Sequence, residues 1–127
     1  EITMGYTNYW CQTKPFSDPQ WKAIKAEYLY LKEQNKVTKL FVDQTDDIDN
    51  DIVLNGVSEY ETFNLGKNIR EPHYEGDLVT FNFCKTAERP YDLIVWHLLV
   101  FAKAVAPGSI TISRDRDEPD LHNLLGE

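Results

Sequence analysis

Apolar and polar residues alternate along several short segments of the chain, a period of two that is typical of β-strands. The clearest case is residues 78–84, where Val79, Phe81 and Phe83 share one side, so we expect a strand with a firmly apolar face. Residues 5–13 are rich in Tyr, Thr and Trp and predict another strand. The same signals predict strands at residues 39–43, 52–57, 59–64 and around Ile110 and Ile112, with a loop at residues 65–77.

Two longer segments have the spacing of an amphipathic helix. Residues 17–19, Ser-Asp-Pro, supply a capping side chain and an early proline for the first helix. Its apolar positions, which continue to about Gln34, are Trp21, Ile24, Tyr28 and Leu31. The second helix is expected over residues 91–105 and ends before the Pro-Gly pair at 107–108. A short closing helix is expected over residues 117–125.

These elements predict an α+β fold, with a mostly antiparallel sheet of about five to six strands and two main helices packed on it. The order of the Phe81 strand, the Tyr91 helix and the Ile110 strand also predicts a β-α-β crossover. The two strands of such a unit run parallel, so their carboxyl ends lie at one edge of the sheet. No repeat or linker divides the chain, and we expect residues 1–127 to form a single domain.

Composition supports a packed domain that folds without a metal or a disulfide, because 42% of the 127 residues are hydrophobic and 13% are aromatic. Cys11 and Cys84 are far apart in sequence, and we expect both to be reduced. The longest apolar run, residues 93–102, is about half of the ~20 residues that span a bilayer, so we expect a buried helix. We expect Met4 to be the natural start, Glu1 to Thr3 to be a cloning remnant, and the location to be cytoplasmic without a signal peptide.

The chain is acidic, with a formal net charge of -8. This charge argues against general nucleic-acid binding, which depends on a basic surface. The acidic residues are concentrated in one segment: Asp43, Asp46, Asp47, Asp49 and Asp51. The last three have the spacing that opens an EF-hand calcium loop, but Ile52 and Ser58 replace its glycine and its final glutamate, so we assign no metal. We interpret the segment as an interaction surface for a basic partner, with a solvated or flexible link as the alternative.

Three segments carry a resemblance to a known family: residues 5–10 (GYTNYW), residues 54–57 (LNGV) with 61–63 (ETF), and residues 83–92 (FCKTAERPYD). In this order they resemble a family of small uncharacterised proteins of bacteriophages and bacteria. That family has His where this chain has Asn8, and glycine-rich sequence where this chain has its acidic segment. The resemblance implies a phage-type context and supplies no chemistry.

The predicted crossover brings two basic turns to one sheet edge. The residues expected there are Lys85, Thr86, Arg89, Ser113, Arg114 and Arg116. The amino end of the second helix lies at the same edge and favours an anion, so a phosphate, a carboxylate or an acidic side chain is expected to dock there. The alternative is that Lys85 and Arg89 form surface ion pairs with neighbouring carboxylates.

The first strand supplies a second candidate, an aromatic pocket or interface formed by Tyr6, Asn8, Tyr9 and Trp10. Ordinary core packing is the alternative for these rings, since buried Tyr and Trp need partners for their polar atoms. Next to the basic edge, the rings would suit a nucleotide-like ligand.

A catalytic pair is harder to assemble. Cys84 precedes the basic turn, where cations and a helix dipole lower a thiol pKa, but no base is placed beside it. His97 lies in the apolar second helix and is expected in the core, and neither His73 nor His122 is linked to Cys84 by spacing. We therefore assign no catalytic residue and treat Cys84 as a buried, inert thiol.

Two hypotheses of function follow. In the first, the protein is a non-catalytic binding protein, without a cofactor, that engages a host protein or a small phosphorylated or nucleotide-like ligand. In the second, it is a small enzyme acting on a nucleotide or phosphate ester, with Lys85, Arg89 and Arg114 holding the anion and Asp92 or Asp115 as base. The enzyme hypothesis and the small-ligand form of the first hypothesis both require the three cations to converge on one pocket. If these side chains point apart into solvent, a protein interface remains.

Overall fold

The computed structural model of the chain describes residues 6–69, 80–87 and 89–115. Within these residues, six strands and two helices follow one another in the order β1 (Thr7–Gln12), α1 (Asp18–Thr38), β2 (Phe41–Asp43), β3 (Asp51–Gly56), β4 (Phe63–Gly66), β5 (Thr80–Lys85), α2 (Asp92–Val105) and β6 (Ile110–Arg114). The predicted α+β class and strand number are confirmed. No helix in this part of the chain is long and apolar enough to cross a membrane.

The strands form two antiparallel sheets where a single sheet was expected. The strand orders are β5-β1-β6 and β2-β3-β4. Side chains of the two sheets meet in one core, where the Trp10 and Phe63 ring centroids are 5.1 Å apart. The helices α1 and α2 pack against each other and contribute to the same core, so the elements form one domain.

The predicted crossover is present. Strands β5 and β6 are each antiparallel to β1, which lies between them, so β5 and β6 run parallel to each other. Helix α2 connects them. Their carboxyl ends therefore lie at one edge of the sheet, where Asn8 of β1 is paired with Cys84 on one side and Arg114 on the other.

Helix α1 begins where the sequence predicts but ends later. Ser17 and Gln20 form a reciprocal capping box at the start. At the other end the helix runs on to Thr38, because Lys39 adopts a left-handed conformation and its N–H donates to the carbonyl oxygen of Asn35 at 2.9 Å. The Asn35 side chain also accepts the N–H of the following Leu40 at 2.7 Å. This polar cap extends the helix beyond its apolar stripe.

Strand β4 begins and ends later than expected, so Leu65 and Gly66 belong to a strand and not to a loop. The cause is Asn55, whose side-chain oxygen accepts the N–H of Tyr60 at 2.9 Å and holds the preceding residues in a turn. Several predictions lie outside the described residues. They are the loop at residues 70–77, the start of the 78–84 strand, the closing helix, His73 and His122.

The expected apolar face of the 78–84 strand is wrong at Phe83. Its side chain is 53% exposed, whereas the neighbouring Cys84 is completely buried. Pairing with β1 explains the difference, since Cys84 lies opposite Asn8 and shares the sheet face that carries Trp10 into the core.

Candidate functional site

A buried polar cluster lies where β5 and β6 end together. The carboxylate of Asp92, in the first turn of α2, accepts hydrogen bonds from the Asn8 amide nitrogen at 2.8 Å and the Thr86 hydroxyl at 2.6 Å. Its other oxygen forms an ion pair with Arg114. The Nε of Arg114 donates in turn to the Asn8 side-chain oxygen at 3.1 Å. These four residues, from β1, the β5–α2 turn, α2 and β6, form what we call the Asp92 cluster.

Aromatic rings complete the surroundings of Arg114. Its guanidinium carbon lies 4.8 Å from the Tyr6 ring centroid and 4.4 Å from that of Trp96, distances at which cation–π attraction is significant. Arg114 shares a strand face with Ile110 and Ile112, so the alternation of β6 directs it toward the core side of the sheet. The cation is thus held by the protein's own carboxylate, amide and rings.

The anion expected at the amino end of the second helix is supplied by the chain itself. Tyr91 occupies the N-cap position of α2 without a side-chain cap, and Asp92 follows in the first turn. A carboxylate there is stabilised by the helix dipole and by the donors of the Asp92 cluster. An acidic side chain was among the expected occupants of this position.

The remaining residues of the predicted basic edge lie in different surroundings. Lys85 is exposed, and its backbone N–H donates to the Glu61 carboxylate at 2.7 Å. Ser113 is exposed on the opposite face of β6 from Arg114. Arg116 lies outside the described residues. Thr86 and Arg114 therefore meet at Asp92, whereas Arg89 makes separate contacts.

Arg89 lines a cleft between the start of α2, the end of α1 and the turn that joins β3 to β4. The cleft has about 310 Å³ of empty space, part of it open to solvent. Lys39 and Ser58 are the other polar residues of its lining, and Val57 and Tyr91 are among the apolar ones. We call this site the Arg89 cleft.

The guanidinium of Arg89 is incompletely satisfied. Its carbon lies 4.7 Å from the centroid of the Tyr60 ring. Its Nε is buried and has no hydrogen-bond partner among the residues that the structure describes. A buried donor without a partner typically costs about 1–3 kcal/mol, and more when it carries charge. Such a donor beside a cleft makes Arg89 the candidate ligand contact among the described residues.

The walls of the Arg89 cleft are firmly built. The Asn55 side-chain oxygen accepts the N–H of Gly56 at 2.6 Å and that of Tyr60 at 2.9 Å, which closes the β3–β4 turn. A β-carbon on Gly56 would lie only 2.8 Å from the Tyr91 ring, so this close approach requires glycine. The Tyr91 hydroxyl donates to the carbonyl oxygen of Glu61 at 2.7 Å.

The turn that carries Arg89 is fixed by the Asp92 cluster. The Arg89 N–H donates to the carbonyl oxygen of Thr86 at 2.9 Å, and the Asp92 N–H donates to the carbonyl oxygen of Arg89 at 2.8 Å. Between them Ala87 has a positive φ of 54°, a conformation that needs support from its surroundings. Since the Thr86 side chain is held by Asp92, the cluster positions the backbone from which Arg89 reaches its cleft.

Cys84 and His97 form no catalytic pair. Burial raises the pKa of the Cys84 thiol to about 12, so the group is protonated at neutral pH. His97 is exposed on α2, and its Nε2 lies 2.6 Å from the Glu27 carboxylate of α1. The expectation of a core histidine is wrong, because His97 lies on the solvent side of a helix whose opposite side is buried.

Two residues of the acidic segment are bound into the fold. Asp43 accepts hydrogen bonds from the Tyr28 hydroxyl and the Thr45 N–H and pairs with Lys32 at 3.2 Å. Partial burial acts to raise the pKa of Asp43, but these bonds outweigh it and lower the pKa. The hydrogen bond from Lys25, 2.7 Å away, lowers the pKa of Asp49.

The other acidic residues lie in and after a tight turn. Asp47 accepts the Asp49 N–H at 3.2 Å and the Asn50 amide at 2.7 Å. Asp46 is exposed, and Asp51 begins β3. Within residues 6–69, 80–87 and 89–115, no group of three His, Cys, Asp or Glu residues lies close enough together to hold a metal ion.

The aromatic residues of β1, together with Tyr6 just before it, lie on two different faces of the sheet. Tyr6 and Trp10 are buried, the first beside Arg114 and the second against Phe63. Asn8 is buried within the Asp92 cluster. Tyr9 lies on the opposite face and is partly buried. The four residues therefore do not line one pocket: Trp10 packs in the core, Asn8 and Tyr6 contact Arg114, and Tyr9 lies on the other face of the sheet.

Comparison with known proteins returns no relative, since no family model, no curated protein and no solved structure matches the chain. The resemblance to a phage and bacterial family therefore stays a prediction. Sequence reasoning identified Arg89, Thr86, Asn8 and Arg114 as site residues but did not find Lys39 and Ser58. Their neighbourhood with Arg89 depends on the packing of the β3–β4 turn against α2, for which the sequence carries no local signal.

Proposed function

We propose that the protein is a non-catalytic binding protein that holds the phosphate group of its ligand in the Arg89 cleft. One observation carries the proposal: the buried Nε of Arg89 lacks a partner in the described part of the chain, beside a cleft that Lys39 and Ser58 also line. An arginine fork matches two oxygens of a phosphate, and charge-assisted hydrogen bonds of this kind are strong. A bound phosphate would supply the missing partner once the Arg89 side chain turns its Nε toward the cleft.

The acidity of the chain does not oppose an anionic ligand at this place. Interactions between exposed charges are largely screened beyond a Debye length of ~8 Å at physiological salt, whereas partly buried pairs are screened much less. The cations that line the cleft, Arg89 and Lys39, therefore act on the ligand more strongly than the distant carboxylates, although Glu59 lies next to Ser58 of the lining and opposes them. The acidic residues Asp43 and Asp49 are themselves paired with lysines.

The contacts of the candidate catalytic groups favour binding over catalysis. Asp92 is engaged with three donors, and the raised pKa of Cys84 keeps its thiol protonated. An enzyme acting on a phosphate ester needs a base or nucleophile within reach of its ligand.

We also propose a phage-type origin and a host-cell ligand, on the strength of the three segments that resemble the phage family.

Calorimetric titration and thermal unfolding with inorganic phosphate and adenosine monophosphate test the proposal. We expect both ligands to raise the unfolding temperature of the protein, because a ligand that binds only the folded state stabilises it by mass action. Arg89→Gln should remove this response. Lys22→Gln removes the same charge from an exposed position of α1 and should keep it. An equal response of all three proteins would refute the proposal.

A further inference from the structure

We infer that the phosphate bound by the Arg89 cleft is carried by a phosphorylated side chain of a protein partner. The inference rests on the proposed function and names the class of its ligand. It depends on three features of the site: the size of the cleft, the exposed residues at its rim, and the arrangement of its donors.

Size comes first. Ligand pockets that enclose a small molecule usually measure ~300–1,000 Å³. The interior of the Arg89 cleft that compares with these volumes is only about 70 Å³. It accommodates a phosphate group and leaves the base and sugar of a nucleotide largely outside. The part of the ligand that bears the phosphate must therefore lie across the rim.

The rim offers apolar and aromatic surface for that part of the ligand. Val57 is 59% exposed and Tyr60 is 41% exposed, and both lie in the β3–β4 turn. Tyrosine is enriched at protein interfaces, where its ring supplies contact area at a small entropic cost. The turn is already ordered by the Asn55 side chain, which contacts Gly56, Tyr60 and Thr62. A preorganised rim lowers the cost of binding a peptide segment.

The donors of the cleft suit a phosphorylated residue better than an acidic one. Lys39, Ser58 and Arg89 come from three separate parts of the fold and line one space. A phosphate monoester presents three terminal oxygens and a charge of about -1.5 to -2 at pH 7, whereas a carboxylate presents two oxygens and a charge of -1. Arginine-based capture of a phosphorylated side chain is a common mode of peptide recognition. Val57 and Tyr60 would contact the residues that flank it.

The inference is tested with four probes: inorganic phosphate, adenosine monophosphate, a pool of heptapeptides with a fixed central phosphoserine and degenerate flanks, and the same pool with serine. We expect the phosphoserine pool to bind at least tenfold more tightly than phosphate, and the serine pool not to bind. Adenosine monophosphate should bind no more tightly than phosphate. Calorimetry or fluorescence anisotropy gives the affinities.

Two substitutions of exposed valines provide a matched comparison. Val57→Ser removes exposed apolar surface beside the cleft without adding a charge that repels phosphate, and it should lower the ratio of pool affinity to phosphate affinity at least fivefold. Val100→Ser changes an exposed position of α2 and should leave that ratio unchanged. Far-UV circular dichroism checks that both variants fold.

The outcomes separate the inference from the proposed function. If adenosine monophosphate equals or exceeds the phosphoserine pool, if the pool binds no more tightly than phosphate, or if Val57→Ser leaves the affinity ratio unchanged, the inference is wrong and the proposed phosphate site stands. If wild type and Arg89→Gln bind phosphate equally or not at all, the proposed function itself fails.

Discussion

Replacing Asp92 with asparagine tests the energetic role of the Asp92 cluster. The substitution keeps the shape of the side chain and removes its charge, which leaves the Arg114 cation without its carboxylate. It also replaces one of the two carboxylate oxygens by an amide N–H₂, while Asn8 and Thr86 donate to one oxygen and Arg114 pairs with the other. In either orientation of the amide, the donors on one side face another donor and lose their acceptor.

The expected loss in the free energy of unfolding follows from the burial of Asp92 and Arg114. The side chain of Asp92 is 11% exposed and that of Arg114 is 17% exposed. Removing one partner of a buried pair costs about 3–5 kcal/mol, because an uncompensated charge stays in the interior. The residual exposure of Arg114 and its contacts with Tyr6 and Trp96 reduce this penalty. We therefore expect Asp92→Asn to lower the free energy of unfolding by about 2–4 kcal/mol.

Urea denaturation followed by tryptophan fluorescence measures the effect in a double-mutant cycle with Arg114→Met. The double variant should lose less stability than the sum of the two single losses, with a coupling energy of about 1–3 kcal/mol. Asp49→Asn removes an exposed carboxylate that pairs with Lys25, and it should leave the unfolding midpoint nearly unchanged. A loss below about 0.5 kcal/mol for Asp92→Asn, or an additive cycle, would show that the reasoning is wrong.

Three further predictions concern other parts of the fold. Gly56→Ala should destabilise the protein by about 1–3 kcal/mol in urea denaturation because its β-carbon overlaps an aromatic ring, whereas Gly108→Ala, with no atom within 4 Å of its β-carbon, should not. In the Cys11→Ser variant, Cys84 should resist a thiol reagent at pH 8 until the protein is unfolded, since burial raises its pKa. The lowered pKa of Asp43 stabilises the fold above the unfolded-state pKa, so the stability advantage of wild type over Asp43→Asn should shrink as pH falls below about 4.

The sequence predicted the directions of strands more securely than the faces of their side chains. Each strand of the crossover is antiparallel to β1, and the connecting helix forced them parallel to each other, so the common edge followed from element order alone. The face of β5 did not follow, because Cys84 and Phe83 are both plausible core residues and pairing with Asn8 decides between them. The prediction that His97 lies in the core was wrong for a similar reason, because an apolar helix still has a side that faces water.

The alternation of side chains along β6 would have predicted that Arg114 and Arg89 lie in different surroundings. Ile110, Ile112 and Arg114 share one face of β6, so a strand that buries the isoleucines carries Arg114 toward the core side, where a buried cation needs a carboxylate. Asp92 begins the helix that covers that face, and its side chain supplies this carboxylate. Arg89 follows a positive-φ turn and points elsewhere, toward Tyr60.

Neutralisation of Arg114 is what makes Arg89 the stronger candidate for an external anion. A cation that already has a carboxylate gains little from a second anion, which must displace or repel the first. Arg89 has a ring beside it and, in the described part of the chain, an Nε without a hydrogen-bond partner. The Asp92 cluster contributes indirectly, because it fixes Thr86 and with it the backbone that carries Arg89. The crossover therefore places one arginine in the interior and leaves the other at a cleft, as the candidate for an external anion.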